Sequence, residues 1–472
     1  MPARIDPASA LARLAAFVAD TPATAHPDAA RHRARLAFLD TIGCAIQGAT
    51  TDTAQGAVRA IESWGAGGVP LIGTDRTAPA PWAALANGTA AHAMDLDDYS
   101  LVGNDHPSAV LVPAVLAQAN GGAFTLGDVL DAYLIGLEVI FRVGRAVNMG
   151  HYNLGWHTTS TIDGLGATAA VARLMGLGAG QTASALSFTI SMSSGMVSQF
   201  GTSAKPLHAG LSAKNGLVAA TLARSGLTGS GAVLDGPVSL ASLMAPEGSV
   251  DFQTALDGLG ISWGIETDGL GAKIYPSCGY THRAIDASLA LHRTLGPLTA
   301  EQIAGVSVSI PDFHLAILPF DVPETPTEAL FSTAWCVATA LLKGRNTLAD
   351  FSAEALQDEA TRTLAARVQV SGRKPLRPQI NVDPDDPDSV SLTIVDGALH
   401  TRSCPHWTGM PGADLSDAAF VEKFHACLGT VGGGAPARYA PLVERLLDDA
   451  STTPIATLFG AISSRSPEMA AH

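Results

Sequence analysis

Over its first 230 residues the chain repeats apolar residues at helical spacing, with little polar sequence between them. HPDAARHRARLAFLDTIGCAIQGA (26–49), HPSAVLVPAVLAQANG (106–121) and TLGDVLDAYLIGLEVIFRVGRAV (125–147) predict helices. So do TIDGLGATAAVARLMG (161–176), AGQTASALSFTISMSSG (179–195) and LHAGLSAKNGLVAATLARSG (207–226). Helices this apolar on most sides must bury one another, so the pattern predicts a bundle with enclosed central members. Ala and Gly on many faces let helix axes approach closely. Gly121, Gly176 and Gly226 close their segments, as helix ends favour.

The texture changes after residue 268. GVSVSIP (305–311) alternates as a strand, TPTEALFSTAWCVATALLKG (325–344) reads as one helix, and RVQVSG (367–372) as a second strand. SVSLTIVDGALHTRSC (389–404) predicts a hairpin turning at Asp396-Gly397. NVDPDDPDS (381–389) reads as a solvated loop. From Asp414 the pattern is helical again, in LSDAAFVEKFHACLG and PLVERLLDDA. The expected fold is mainly α: a large helical domain over 1–268, completed by 407–465, with a smaller α/β domain over 269–406.

Charge narrows the function classes. Only 15% of residues are charged and the formal net charge is −15. Nucleic acid and anionic membranes require basic patches, so neither is an expected partner. No apolar run reaches the roughly 20 residues that a bilayer span needs. The N-terminal stretch, interrupted by Asp6 and Asp20, reads as an amphipathic helix and not as a signal peptide. Five scattered cysteines without a CxxC pair predict no disulfide framework and fit a reduced cytoplasm.

Against this apolar background stands HAMDLDDYSLVGNDHPSAV (92–110), with His92, Asp95, Asp97, Asp98, Asp105 and His106. No HxH or HxxxH spacing accompanies it for zinc, and no DxDxDG for calcium. No metal is expected, and an acid/base site is the stronger reading. Other polar islands support it: His157 in LGWHTTS, Lys205 and His208 in GTSAKPLHAG, and Lys273, Cys278 and His282 in GLGAKIYPSCGYTH. A single lysine is ordinarily solvated and a single histidine ordinarily structural. Here the flanks are small and apolar, and the islands fall at helix and loop junctions. In an acidic chain, Lys205 and Lys273 can form the local positive island that an anionic substrate requires. Arg142 and Arg145 lie on a regular helix and read as structural.

Together HAMDLDD, HPSA, GWHTT, GTSAKPLHAG, KIYPSCGYTH and LSDAAFVEKF resemble the MmgE/PrpD family over nearly the whole chain. That family includes 2-methylcitrate dehydratase, cis-aconitate decarboxylase and iminodisuccinate epimerase. The resemblance implies a helical domain with an α/β lid, a site between them, no cofactor, a homodimer and a small polycarboxylate substrate. It implies active-site roles for Asp95, His106, His157, Lys205 and Lys273. Substrate contacts are expected from Tyr99, His208, Cys278 and His282. Tyr99 stands where decarboxylase and dehydratase members carry Thr, Cys278 where some decarboxylases carry His, and Ile317 and Phe320 near a family tyrosine.

The reactions of the family share one problem: charge builds on carbon beside a carboxylate, so cations must stabilise it and a base must move a proton. Lys205 and Lys273 are the expected clamps, His106 and His157 the acid/base pair, and Asp95 an orienting group or a base. The expected activity is a lyase, by dehydration or decarboxylation. The alternative is an epimerase, for which Tyr99 could be a second proton donor.

Overall fold

The computed structural model describes residues 6–430, 435–448 and 451–462. The expected domain end at 465 and the last two residues of PLVERLLDDA lie outside the described residues. The protein is mainly α, as the periodicity predicts. The apolar segments form helices Asp28–Gly48, Pro107–Ala119, Leu126–Asn153, Asp163–Leu174, Ala179–Met192 and Ala204–Arg224. Gly121, Gly176 and Gly226 all take positive φ at or just beyond helix ends, the backbone conformation that L side chains resist. Helix Pro107–Ala119 is buried along nearly its whole length, which explains its lack of a polar face.

Small residues set how closely the central helices approach. A Cβ on Gly88, in helix Ala80–Ala91, would lie 2.9 Å from the Gly210 Cα of helix Ala204–Arg224. One on Gly210 would lie 2.2 Å from the Leu85 carbonyl oxygen. This crossing therefore requires glycine, and it holds the Lys205 helix against the helix that leads into the acidic run. C-terminal helices Asp417–Gly429 and Ala435–Leu447 pack on Asp28–Gly48, so the chain end returns to the helical core.

β1 (Val69–Pro70) and β2 (Thr77–Ala78) form a two-residue antiparallel pair. The main sheet has strands β3 (Ile303–Pro311), β4 (Val368–Arg373), β5 (Asp388–Ile394) and β6 (Leu399–Cys404), in the order β4-β3-β5-β6. β3 runs parallel to β4 and antiparallel to β5, with Val308 opposite both Val370 and Val390. β5 and β6 are the expected hairpin, with Gly397 at positive φ in its turn. Ile303, Val306, Val308 and Ile310 face a second core with helices His282–Leu295 and Thr333–Lys343.

Two expectations need correction. The segment 325–344 is two helices, Pro326–Ala329 and Thr333–Lys343. Ser332 caps the second by accepting from the Trp335 N–H at 3.0 Å, and this local bond competes with helix continuation. The segment 381–389 is not simply solvated. Asn381, Val382, Asp383 and Asp388 are buried, because Arg377 pairs with Asp383, Arg373 with Asp386 and Arg283 with Asp388.

Candidate active site

Helix Ala80–Ala91 ends at His92, and the chain then turns sharply through Asp95, which takes φ +50°. Asp is among the few side chains that tolerate this region. The turn aims the Asp95 carboxylate into the interior. There Lys205, from the first turn of its helix, places Nζ 2.9 Å from Oδ2. Lys273 donates to Oδ1, and at 3.1 Å to the Asp95 carbonyl. A backbone bridge delivers Lys273: the Tyr99 N–H donates to the Gly271 carbonyl and the Gly271 N–H to that of Tyr99, each at 2.9 Å. Gly271 is required because a Cβ would lie 2.2 Å from the Tyr99 ring.

Both lysines are nearly sealed, Lys205 3% and Lys273 1% exposed. Burial lowers the Lys205 ammonium from its ordinary range while Asp95 pulls it up. Burial pushes the Asp95 carboxyl up, yet Lys205 and Lys273 outweigh it and hold Asp95 well below the usual carboxylate range. The result is an ionised carboxylate between two ammonium groups.

The imidazoles lie on the adjoining wall. His106 Nδ1 is 2.9 Å from the Asp98 carbonyl, which only accepts, so this nitrogen carries a proton. Burial, then Lys273, His92 and Lys205, lower the His106 imidazole well below its ordinary value. The ring is therefore neutral near pH 7, with its lone pair on Nε2, 3.7 Å from Asp95 Oδ1. His157 Nδ1 meets His208 Nδ1 at 2.9 Å. Both are lowered by burial first, His208 to about 4, so in this neutral pair one ring carries its proton on Nδ1 and the other on Nε2.

Asp95, Tyr99, His106, His157, Lys205, Lys273 and Cys278 all line one cleft. Leu101, Asn104, Asp105, Tyr152, Phe200, Gly279, Tyr280, Asn381, Val382 and Trp407 complete its wall. His208 and His282 do not line it. His208 meets the cleft only by its contact with His157, and His282 is buried with Nε2 3.3 Å from the Ser277 carbonyl and its ring against Tyr275 and Trp407. Burial pushes the Cys278 thiol up to about 11, so it is a neutral group and not a thiolate.

His92, Asp95, Asp97 and His106 bring four possible ligand atoms within 4.8 Å of one another. They do not fit a resident cation in this arrangement. Two ammonium groups already hold Asp95, and Asp97 accepts from His92 Nδ1 at 2.8 Å. A divalent ion would have to displace a lysine.

Sequence reasoning missed several participants. Lys423, on helix Asp417–Gly429, donates at 2.6 Å to the Leu96 carbonyl and pairs with Asp40 at 2.5 Å, so it anchors the acidic turn. Its signal was a lysine amid the apolar residues of FVEKFHACLG. Asn381 and Val382 were hidden in an acid-rich stretch.

The fold and cleft define a mainly helical protein in which a buried carboxylate, two lysines and neighbouring imidazoles meet residues of an α/β part. The MmgE/PrpD N-terminal domain model matches residues 12–253 and the C-terminal domain model residues 275–449; the chain belongs to the MmgE/PrpD family. It is similar to the cis-aconitate decarboxylase of Homo sapiens, 27% identical over 405 residues that cover 84% of this chain and 82% of the relative. It is also similar to the cis-aconitate decarboxylase-like protein oryM of Aspergillus oryzae, 29% identical over 355 residues (70% and 73%). The cis-aconitate decarboxylase of Aspergillus terreus is 27% identical over 346 residues (69% and 70%). All five cysteines are free, and no described helix is long and apolar enough to cross a membrane.

Proposed function

We propose that this chain is a lyase that removes CO2 or water from a small di- or tricarboxylate by proton transfer beside a carboxylate, without a cofactor. One observation carries the reading: two buried ammonium groups share a single carboxylate, next to a neutral imidazole whose Nε2 lone pair is available. The ammonium groups outnumber the carboxylate between them, so the cleft favours a further anionic group. In decarboxylation the C–CO2 bond breaks, CO2 departs and the electron pair delocalises onto a neighbouring carboxylate. Lys205 and Lys273 stabilise that charge, and a protonated group of the cleft, such as a lysine ammonium, returns a proton to carbon. In dehydration His106 Nε2 takes the proton beside the carboxylate, and a protonated group releases the hydroxyl as water. The names of the relatives favour decarboxylation and cis-aconitate as the first substrate to test. On this reading the 269–406 part is a lid over the helical domain, and the working form is a cytoplasmic homodimer.

The test is proton NMR and CO2 release from the full chain with cis-aconitate, and separately with 2-methylcitrate. A decarboxylated alkene with CO2 is expected from the first. An alkene without CO2 from the second would assign dehydration. No turnover of either, with deuterium from D2O entering beside a carboxylate of iminodisuccinate, would replace the lyase with the epimerase.

A further inference from the structure

Two buried acids, one of them in the cleft wall, have no part in the chemistry above. Asp105 immediately precedes His106. Asp163 opens helix Asp163–Leu174, six residues after His157. Both are sealed, Asp105 1% and Asp163 0% exposed, none of their four carboxyl oxygens meets a hydrogen-bond donor among the described residues, and the two acids act directly on one another. Asp98 adds a third acidic group acting on Asp163. None of these is a cation. Packing is tight: a Cβ on Gly103 would lie 1.8 Å from Asp105 Oδ2. The neighbouring backbone is joined as well, with the His106 N–H donating to Thr159 Oγ1 at 3.0 Å and Asp105 paired with Ser100.

Two carboxylates in contact without a cation cannot both ionise in a low-dielectric site. With one proton between them they form a charge-assisted O–H···O bond, among the strong hydrogen bonds of proteins. That bond would join the segment carrying His106 to the segment carrying His157.

We propose that Asp105 and Asp163 share a proton and act as positioning residues that fix the spacing of His106 and His157. The inference rests on the reading of those imidazoles as the proton-transfer groups. Burial raises Asp105 to about 7 and, with the Asp105 charge, raises Asp163 well above its ordinary value. The pair therefore passes from two protons to one as pH rises through about 7 and keeps the last proton beyond it.

The experiment compares D163N, which keeps a hydrogen-bond donor but cannot titrate, with D163A, which keeps neither. D163A is expected to lower kcat about 10²-fold through misplacement of the imidazoles, with little change in KM, and D163N to recover most of that loss. The pH profile of the parent should inflect near 7, and D163N, which leaves Asp105 to titrate without an acidic partner, should shift that inflection. The parent-minus-D163N infrared difference at pH 8 should show a protonated-carboxyl band, because Asp98, also raised by burial, absorbs in both proteins. This band is read without substrate, so failure of the lyase reading leaves it intact. Absence of that difference band between the folded proteins, or D163A with parental kcat, overturns the proposal.

Discussion

Asp95 is the residue on which the site turns. It is the negative charge between two sealed ammonium groups, and it sits in a backbone region that few side chains accept. Removing one partner of a buried charge set leaves the rest uncompensated, at about 3–5 kcal/mol. Asp95→Asn keeps the shape and the φ +50° turn but loses the charge, so its melting temperature should fall and turnover should collapse. A parental melting temperature would show that water, and not Asp95, neutralises the lysines. Lys205→Met leaves Asp95 paired with Lys273, so the fold should persist while kcat/KM falls about 10²–10³-fold, as when one stabilising donor is lost. Unchanged kcat/KM would remove Lys205 from charge stabilisation. For His106 the sign of the pH effect is fixed by geometry. Its imidazole is held well below the ordinary value and must be neutral to act as a base. Apart from the inflection near 7 assigned to the Asp105–Asp163 pair, activity should therefore survive as pH falls through the ordinary imidazole range and be lost only below it. An acid limb at the ordinary histidine value that persists unshifted in D163N would contradict the lysine-flanked ring.

Among the elements, helix Asp417–Gly429 tests how far support reaches. Its Lys423 stands far along the chain from the acidic turn, yet it holds the Leu96 carbonyl and Asp40. Burial raises Asp40 more than Lys423 lowers it, so this pair is poised at a high cost of desolvation. Lys423→Met should destabilise the fold by about 3–5 kcal/mol and slow turnover through Asp95, and adding Asp40→Leu should restore much of the stability. A double variant no more stable than the single one would show that the Leu96 contact, and not the buried charge, matters. The same helix marks the limit of sequence reading. Elements governed by local pattern were legible: the apolar helices, alternation in β3 and the Asp396-Gly397 turn. Lys205 and Lys273 stood out because small apolar residues flank them. Lys423, Asp163 and Asn381 did not, because their roles depend on which distant segment folds against them. The break at Ser332 was missed for a local reason, since a single capping hydroxyl interrupts an apolar pattern that otherwise reads as continuous.

At the scale of the molecule, the cleft is walled from both cores, and a small ring of hydrogen bonds spans them. The Asn104 side-chain amide donates to Tyr280 Oη, which donates to Asn381 Oδ1, and the Asn381 amide donates back to Asn104 Oδ1, each at 2.8 Å. Asn104 belongs to the acidic run, Tyr280 to the turn before helix His282–Leu295, and Asn381 to the loop between β4 and β5. His314 supports this corner by stacking on Tyr280 at 3.8 Å and meeting the Asn381 carbonyl at 3.0 Å. All three ring members line the cleft, so the ring is placed to hold the α/β part over the site. Asn381→Ala removes two of its bonds. At roughly 0.5–1.5 kcal/mol each, that shifts an open–closed balance by about tenfold. The expected result is a higher KM, with kcat held or raised if opening limits release, and faster amide hydrogen exchange over 377–386 while the helical core is unchanged. If exchange and KM both stay at parental values, the ring is local packing and the Tyr99–Gly271 bridge with the Lys273–Asp95 pair suffices to hold the two parts together.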